Sequence, residues 1–118
     1  ARLGDILASE ELGELARILG AVLAPHDARR VRGALATVLW GWDTARIAAL
    51  DGPAGEGDWF GVVEQLATWR LQWTGEGFMR MAQHLVSALA LPARLLALAD
   101  GERRLTNLRH AVELLHGI

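Results

Sequence analysis

The segment SEELGELARILGAVLAP, residues 9–25, decides the fold class of this chain. Its apolar residues recur at the three- and four-residue spacing of an amphipathic helix, at Leu12, Leu15, Ala16, Leu19, Val22 and Leu23. Ser9 is the predicted N-cap, and Glu10 and Glu11 are favourable at the positive end of the helix dipole. Pro25 ends the pattern, because the residue before a proline disfavours helical backbone angles. The segment therefore predicts a helix that begins after Ser9.

Helical spacing continues through the rest of the chain. Asp27 and Asp43 are predicted caps of a second and a short third helix, and the second is expected to end near Gly41. Asp58 is the predicted cap of a fourth helix, which follows a flexible loop at residues 51–57 and ends before a predicted turn at residues 74–77. Apolar residues mark three further helices, which begin near Phe78, Pro92 and Leu105. Since no segment alternates with period two, the predicted fold is all-α, a compact bundle of six or seven helices without a sheet.

The composition is that of one folded domain. The chain has 118 residues, of which 52% are hydrophobic and 22% charged, and its formal net charge is −2. This length and balance predict a single helical domain over residues 1–118. The absence of cysteine excludes disulfide scaffolds, thiolate metal sites and cysteine nucleophiles. Because no apolar run approaches the ~18–20 residues of a bilayer span, we expect no membrane association and a cytoplasmic location.

The residues by themselves predict no active site. The chain has no lysine, so it lacks the loop with a terminal Gly-Lys pair that binds nucleotide phosphates. Neither serine lies in the Gly-x-Ser-x-Gly context of a hydrolase nucleophile. Glu113 and His116 have the Glu-x-x-His spacing of a di-iron bundle, but that site requires two such motifs and two further glutamates. We therefore predict no catalytic or metal-ligating residue, and a metal-dependent enzyme that uses Glu113 and His116 remains a third interpretation.

Two arginine clusters are candidates for phosphate contacts, because the planar guanidinium group binds two oxygens at once. The first cluster is Arg29, Arg30 and Arg32, and the second is Arg103, Arg104 and Arg109. The alternative for both is ion pairing with neighbouring carboxylates. In the second cluster we favour a structural role, in which Arg103, Arg104 and Asn107 tie the last helix to earlier carboxylates and carbonyls.

The tryptophans are the other candidates for contacts. Trp59 and Trp73 fall on the apolar stripe of the fourth helix, and we expect them in the core. Trp40 and Trp42 flank Gly41 at a helix end, so we do not expect both to be buried in one small bundle. The exposed one would contact a partner domain, which we favour, or would stack on nucleic acid.

Three stretches resemble a known family. ELARILGAVLAPHDARRVRGALATVLWGWDTARIAAL, residues 14–50, is similar to the region after motif IV of UvrD-like superfamily-one helicases. GERRLTNLRHAVELLHGI, residues 101–118, resembles the RecB family of helicase–nuclease subunits. Between them, VVEQLATWRLQWTGEGFMRMAQHLVSA, residues 62–88, has the RecB order of an aromatic helix, a turn with glycine and a helix that opens with an apolar pair. The resemblance covers nearly the whole chain.

The resemblance implies an ATP-driven translocase, coupled to a nuclease, that unwinds duplex DNA from a broken end during repair and recombination. Such an enzyme is also called exodeoxyribonuclease V. Residues 9–118 would be its helical 2B region and residues 1–8 would trail from the 2A core, and the absence of an initiator methionine fits a piece of a longer protein. ATP and Mg²⁺, the implied cofactors, would bind outside this chain. DNA and RecC- and RecD-like subunits would be its partners.

The resemblance also implies contacts with DNA phosphates that do not depend on sequence. UvrD-like helicases touch the duplex backbone through a Gly-Ile-Gly turn, which maps here to Thr37, Gly41 and Trp42. This chain has Gly-Trp-Asp at residues 41–43 instead. These three residues and the first arginine cluster are the predicted DNA-binding residues, whereas Trp40 is grouped with the structural or partner contacts.

A second interpretation belongs to a different class of protein. A free-standing helical interaction module without a DNA role would have the same apolar stripes and the same net charge of −2. Its function would depend on an exposed apolar surface that a partner covers.

Overall fold

A computed structural model describes residue 4 and residues 9–117 of the chain. The segment predicted to trail from the 2A core, residues 1–8, therefore lies outside the described residues, apart from residue 4. Seven α-helices occupy residues 9–117, with a 3-10 turn at Ala49–Asp51 between the third and the fourth. They are α1 Glu10–Leu23, α2 Ala28–Leu35, α3 Thr44–Ala48, α4 Gly55–Glu76, α5 Phe78–Ala88, α6 Leu91–Leu96 and α7 Gly101–His116. No strand occurs among the described residues, so the prediction of an all-α fold is confirmed.

Three of the four predicted N-caps, all but Asp58, are confirmed by hydrogen bonds. The Ser9 hydroxyl accepts from the backbone N–H of Leu12 at 3.2 Å. Asp27 accepts from the N–H of Arg30 at 3.2 Å, and Asp43 accepts from the N–H of Arg46, in the first turn of α3, at 2.8 Å. Each side chain satisfies a donor that has no partner within its own helix. Local sequence is therefore sufficient to position the start of α1, α2 and α3.

The core is built around α1, which packs against α2, α4 and α7. Leu15, Ile18 and Val22 lie on its inner face and are almost fully buried. The longest helix, α4, contributes Trp69, whose ring lies 5.4 Å from that of Trp40 between ring centres. Burial of each such side chain contributes roughly 1.5–3 kcal/mol, so this interior supplies most of the drive to fold.

The fourth helix begins earlier and ends later than predicted. Residues 55–57 of the predicted 51–57 loop already belong to α4, and Asp58 lies in its first turn rather than at its cap. Gly55 is buried against the carbonyl oxygen of Leu50, where a Cβ atom would overlap the backbone. A contact between separate elements, rather than a capping side chain, thus positions this helix start. At the other end the helix continues to Gly77, whose φ of +94° breaks it.

The second helix is shorter than predicted. It ends at Leu35, and residues 37–40 form a turn before Gly41. None of the helices among the described residues combines the length and the hydropathy that a bilayer span requires.

Gly13→Ala should raise the free energy of unfolding by about 0.5–1 kcal/mol. Gly13 is exposed on α1, and a Cβ atom placed on it would meet no atom within 4 Å. Alanine should stabilise because it restricts the unfolded chain without disturbing the folded one. Urea unfolding followed by circular dichroism measures the change. Gly101→Ala is the contrasting variant and should destabilise, because its Cβ would overlap the carbonyl oxygen of Leu95. A loss of stability at Gly13 would contradict the prediction.

Candidate nucleic-acid interface

A groove lined by three arginines runs between α1 and α2. The two helices are joined by the short connection at residues 24–27 and pack directly against each other. Arg17 reaches the groove from α1, and Arg29 and Arg30 reach it from α2. Small residues complete its lining together with Asp27, namely Ala16, Gly20 and Gly33. The groove has a volume of about 640 Å³ and is open to solvent.

The groove carries a positive charge although the chain is acidic overall. Three guanidinium groups face a single carboxylate in its lining, in a chain whose formal net charge is −2. Arg30 forms an exposed ion pair with Asp27, with 3.4 Å between Nε and Oδ2. Within residues 9–117, neither Arg17 nor Arg29 has an ion-pair partner. The exposed guanidinium groups of Arg17 and Arg29 are therefore available to an anion. The ion pair of Arg30 with Asp27 is exposed, and exposed ion pairs are weak.

Arg32 is held away from this groove by internal contacts. Its guanidinium donates to Asp51 at 2.6 Å and to the carbonyl of Ile47 at 3.5 Å. The same group lies 5.8 Å from the centre of the Trp59 ring, within the range of a cation–π contact. These contacts tie α2 to the 3-10 turn and to α4. Of the predicted DNA-binding cluster, the structure therefore brings Arg29 and Arg30 together and separates Arg32 from them.

In the turn at residues 37–42, polar groups form internal hydrogen bonds and Trp40 packs into the core. The buried Thr37 hydroxyl donates to the carbonyl of Ala34 at 2.7 Å and accepts from the N–H of Trp40 at 3.1 Å. Trp40 lies in the core. Thr37 is therefore inaccessible to DNA in this fold, and Trp40 has a structural position rather than an exposed one.

Gly41 completes this turn beneath an arginine from α6. Its φ is +80°, and a Cβ atom on it would overlap the guanidinium group of Arg94. That guanidinium donates two hydrogen bonds to the carbonyl of Trp40, at 2.9 and 3.1 Å. Trp42 is half-buried, and Arg46 lies 3.9 Å from the centre of its ring. The glycine thus allows a close contact between two parts of the chain.

A buried carboxylate joins the first helix to the last. Glu11 is only 2% exposed, and it accepts from Arg104 at 3.2 Å and from Asn107 at 3.1 Å. Arg104 also donates to Asp100 at 2.9 Å, and Arg103 donates to the same carboxylate. The structure thus places all three predicted residues of α7 in internal contacts with carboxylates.

These contacts change the titration of the partners. The hydrogen bond from Arg104, followed by the one from Arg103, holds the pKa of the Asp100 carboxyl below its ordinary value. The hydrogen bond to Asp100 raises the pKa of Arg104. Both shifts favour the charged forms, so the pair remains ionised near neutral pH.

The histidines form no common site. His84 lies 3.9 Å from Glu76, His116 stacks on Phe78 with 6.5 Å between ring centres, and the Nδ1 atom of His110 is buried without a hydrogen-bond partner. Among the described residues, no group of three or more His, Asp or Glu side chains could hold a metal ion.

Two apolar surfaces lie away from the arginines. A groove of about 680 Å³ runs between α5, α6 and α7, and Leu105, Leu108 and Val112 contribute to its lining. On the outer face of α4, Phe60 and Leu71 are 66% and 74% exposed. They lie eleven residues apart, which is close to three full turns of helix, so they share one face. Apolar surface of this kind is typical of contacts with another protein.

Comparison with known proteins identifies relatives along most of the chain. The RecBCD enzyme subunit RecB of Escherichia coli K12 is 39% identical over 105 residues, which are 89% of this chain and 9% of that relative. The subunit of the same name from Haemophilus influenzae Rd is 32% identical over 102 residues, 86% of this chain and 8% of that relative. The chain is similar to one segment of RecB. No family model matches it.

The predicted resemblance to RecB is thereby confirmed. The chain corresponds to one segment of the RecB relatives and spans less than a tenth of their length.

Sequence reasoning missed Arg17 as a member of the candidate interface. It is exposed on α1, on the side away from the apolar stripe, and twelve residues separate it from Arg29. The signal was available in principle, because a four-residue connection between two amphipathic helices predicts a helical hairpin. In such a hairpin, polar residues before and after the connection approach one another. Arginine clusters defined by sequence neighbours alone do not show that Arg17 and Arg29 lie in the same groove.

Proposed function

We propose that this chain is a helical DNA-positioning region of a RecBCD-type helicase–nuclease that acts in double-strand break repair and recombination. The observation that carries the proposal is the similarity to RecB over 89% of the chain. The arginine-lined groove supports it, because arginine binds phosphate oxygens through a planar fork of donors. The groove residues hold and orient a ligand, and none of them forms a nucleophile–base pair.

ATP and Mg²⁺ are the cofactors that such an enzyme requires, and the residues of this chain do not fit them. The chain has no lysine and no phosphate-binding loop of the nucleotide-hydrolase type. The described residues also contain no cluster of metal ligands. The proposal therefore places ATP binding, hydrolysis and DNA cleavage in parts of a RecB-type subunit beyond the matched segment.

The partners in this proposal are DNA and the RecC- and RecD-like subunits of a bacterial cytoplasmic complex. The two apolar surfaces support the protein contacts, since large apolar side chains at 66% and 74% exposure favour burial against a partner. The arginine-lined groove supports the DNA contact. DNA and protein would thus meet different faces of the same helical region.

A chimaeric enzyme tests the proposed function. The segment of E. coli RecB that matches this chain would be replaced by the chain itself, and the chimaera would be assembled with its RecC and RecD subunits. We expect ATP-dependent degradation of linear duplex DNA above that of a matched enzyme in which an unrelated helical bundle fills the same position. A chimaera that assembles but degrades DNA no better than this control would contradict the proposal.

A further inference from the structure

We propose that the groove between α1 and α2 binds the phosphodiester backbone of duplex DNA in preference to single strands. This inference rests on the proposed function and deepens it, because it names the site and the form of nucleic acid. Arg17, Arg29 and Arg30 provide the positive charge, and Asp27 limits it.

The charge of the groove is arranged for an extended anion. Arg17 and Arg29 approach from different helices and have no ion-pair partner within residues 9–117, so binding a phosphate breaks no internal pair. Arg30 spans the groove, since a Cβ atom on Gly20 of α1 would lie 3.9 Å from its Nη1 atom. Arginines on both walls match a backbone whose phosphates follow one another along a line.

The lining explains why the groove favours duplex DNA. Proteins that bind single strands combine positive charge with aromatic rings on which unpaired bases stack. The residues that line this groove include no aromatic ring, and its other members are Ala16, Gly20 and Gly33. The groove has no ring on which an unpaired base could stack, whereas its small side chains allow the regular sugar-phosphate backbone of a duplex to approach closely. The denser phosphate charge of a duplex therefore decides the preference.

Asp27 keeps this affinity low. Its carboxylate lines the groove and pairs with Arg30 at 3.4 Å, while its Oδ1 atom caps α2. Asparagine caps a helix as well as aspartate does but carries no charge. Asp27→Asn should consequently strengthen DNA binding while the helix start stays intact, an effect opposite to that of removing an arginine.

Binding of fluorescent duplex DNA by the full chain, measured by anisotropy over a range of salt concentrations, tests the inference. Arg17→Gln and Arg29→Gln should each weaken binding at low salt several-fold. Each should also reduce the slope of log affinity against log salt by about 0.9, because one fewer counterion is released. Asp27→Asn should tighten binding. The unmodified chain should bind duplex more tightly than a single strand of the same length.

Arg80→Gln is the matched control, because Arg80 is exposed on α5 and does not line the groove between α1 and α2. It changes the net charge equally and should leave affinity and salt slope nearly unchanged. Circular dichroism of every variant separates loss of binding from loss of fold. Equal losses for Arg17→Gln and Arg80→Gln would overturn the inference, as would tighter binding of single strands or no binding of duplex.

Two further results separate this site from its alternatives. Inorganic phosphate at matched ionic strength should displace duplex no better than chloride does, and selective displacement would overturn the inference in favour of a small-anion site. The chimaeric enzyme distinguishes the two proposals. An active chimaera whose Arg17→Gln and Arg29→Gln forms bind duplex normally would reject the groove and leave the proposed function standing. An inactive chimaera, together with salt-sensitive duplex binding that depends on Arg17 and Arg29, would reject the proposed function and leave the groove standing.

Discussion

Replacing Arg104 with methionine should lower the free energy of unfolding by about 3–5 kcal/mol, the usual cost of removing one partner from a buried ion pair. Glu11 is 2% exposed, and Arg104 is its charged partner at 3.2 Å. Methionine fills similar space without a charge, so among the described residues the Glu11 carboxylate would keep the side-chain amide of Asn107 as its hydrogen-bond donor. The three contacts of Arg104, with Glu10 and Glu11 of α1 and with Asp100, would be lost together. Urea unfolding followed by circular dichroism measures the loss.

The matched control removes both charges. A double variant, Glu11→Leu with Arg104→Met, leaves no unpaired buried charge, and apolar replacement of such a pair is often neutral or stabilising. We expect it to be more stable than Arg104→Met alone. If the single variant lost less than about 1 kcal/mol, the contact would have the value of a surface pair, and Glu11 would not depend on Arg104.

Acid unfolding measures a second contact of Arg104, the one with Asp100. The hydrogen bond from Arg104 lowers the pKa of Asp100 in the folded state. A lowered folded-state pKa contributes stability above the unfolded value, about 3.9 for aspartate. That stability disappears as the pH falls through the folded pKa. Because Arg104→Met removes the main cause of the shift, its stability should vary less with pH below about 4 than that of the unmodified chain.

The parts of the fold that depend on local sequence were predictable. Ser9, Asp27 and Asp43 each act within three residues of their own position, and the structure confirms all three caps. The start of α4 was not predictable in the same way, because Gly55 lies against the carbonyl of Leu50 in a preceding element. A loop composition at residues 51–57 contains no information about that packing.

The candidate site shows the same division between local and long-range information. Arg29, Arg30 and Arg32 are neighbours in sequence, but a helix rotates about 100° per residue, so they do not share one face. Arg32 instead reaches Asp51 and Trp59. Arg17 joins the groove only because α1 and α2 form a hairpin. Grouping by sequence therefore joined Arg32 to a groove that it does not line and missed Arg17, which lines it.

Gly41→Ala should destabilise the chain by about 3 kcal/mol. The φ of Gly41 is +80°, which costs an L-residue about 1–2 kcal/mol. The new Cβ would also displace the Arg94 guanidinium, which donates two hydrogen bonds to the carbonyl of Trp40. Hydrogen bonds to charged groups contribute about 1.5–3 kcal/mol. Urea unfolding of Gly41→Ala, Arg94→Met and the double variant measures both contributions.

The stability losses of Gly41→Ala and Arg94→Met should not add up in the double variant. Once Arg94→Met has removed the guanidinium, Gly41→Ala should cost only the part due to the positive φ, about 1–2 kcal/mol. Additive losses for Gly41→Ala and Arg94→Met would show that the two residues act independently.

The same variant separates two accounts of the turn at residues 37–42. The resemblance to the Gly-Ile-Gly turn of UvrD-like helicases implies that Gly41 contacts DNA. In the structure, the guanidinium group of Arg94 packs directly against Gly41 instead. Under the structural account, Gly41→Ala measured below its unfolding transition should keep the duplex affinity and the salt slope of the unmodified chain. A folded Gly41→Ala chain that binds duplex several-fold more weakly would return this turn to the DNA interface, beside the arginine-lined groove.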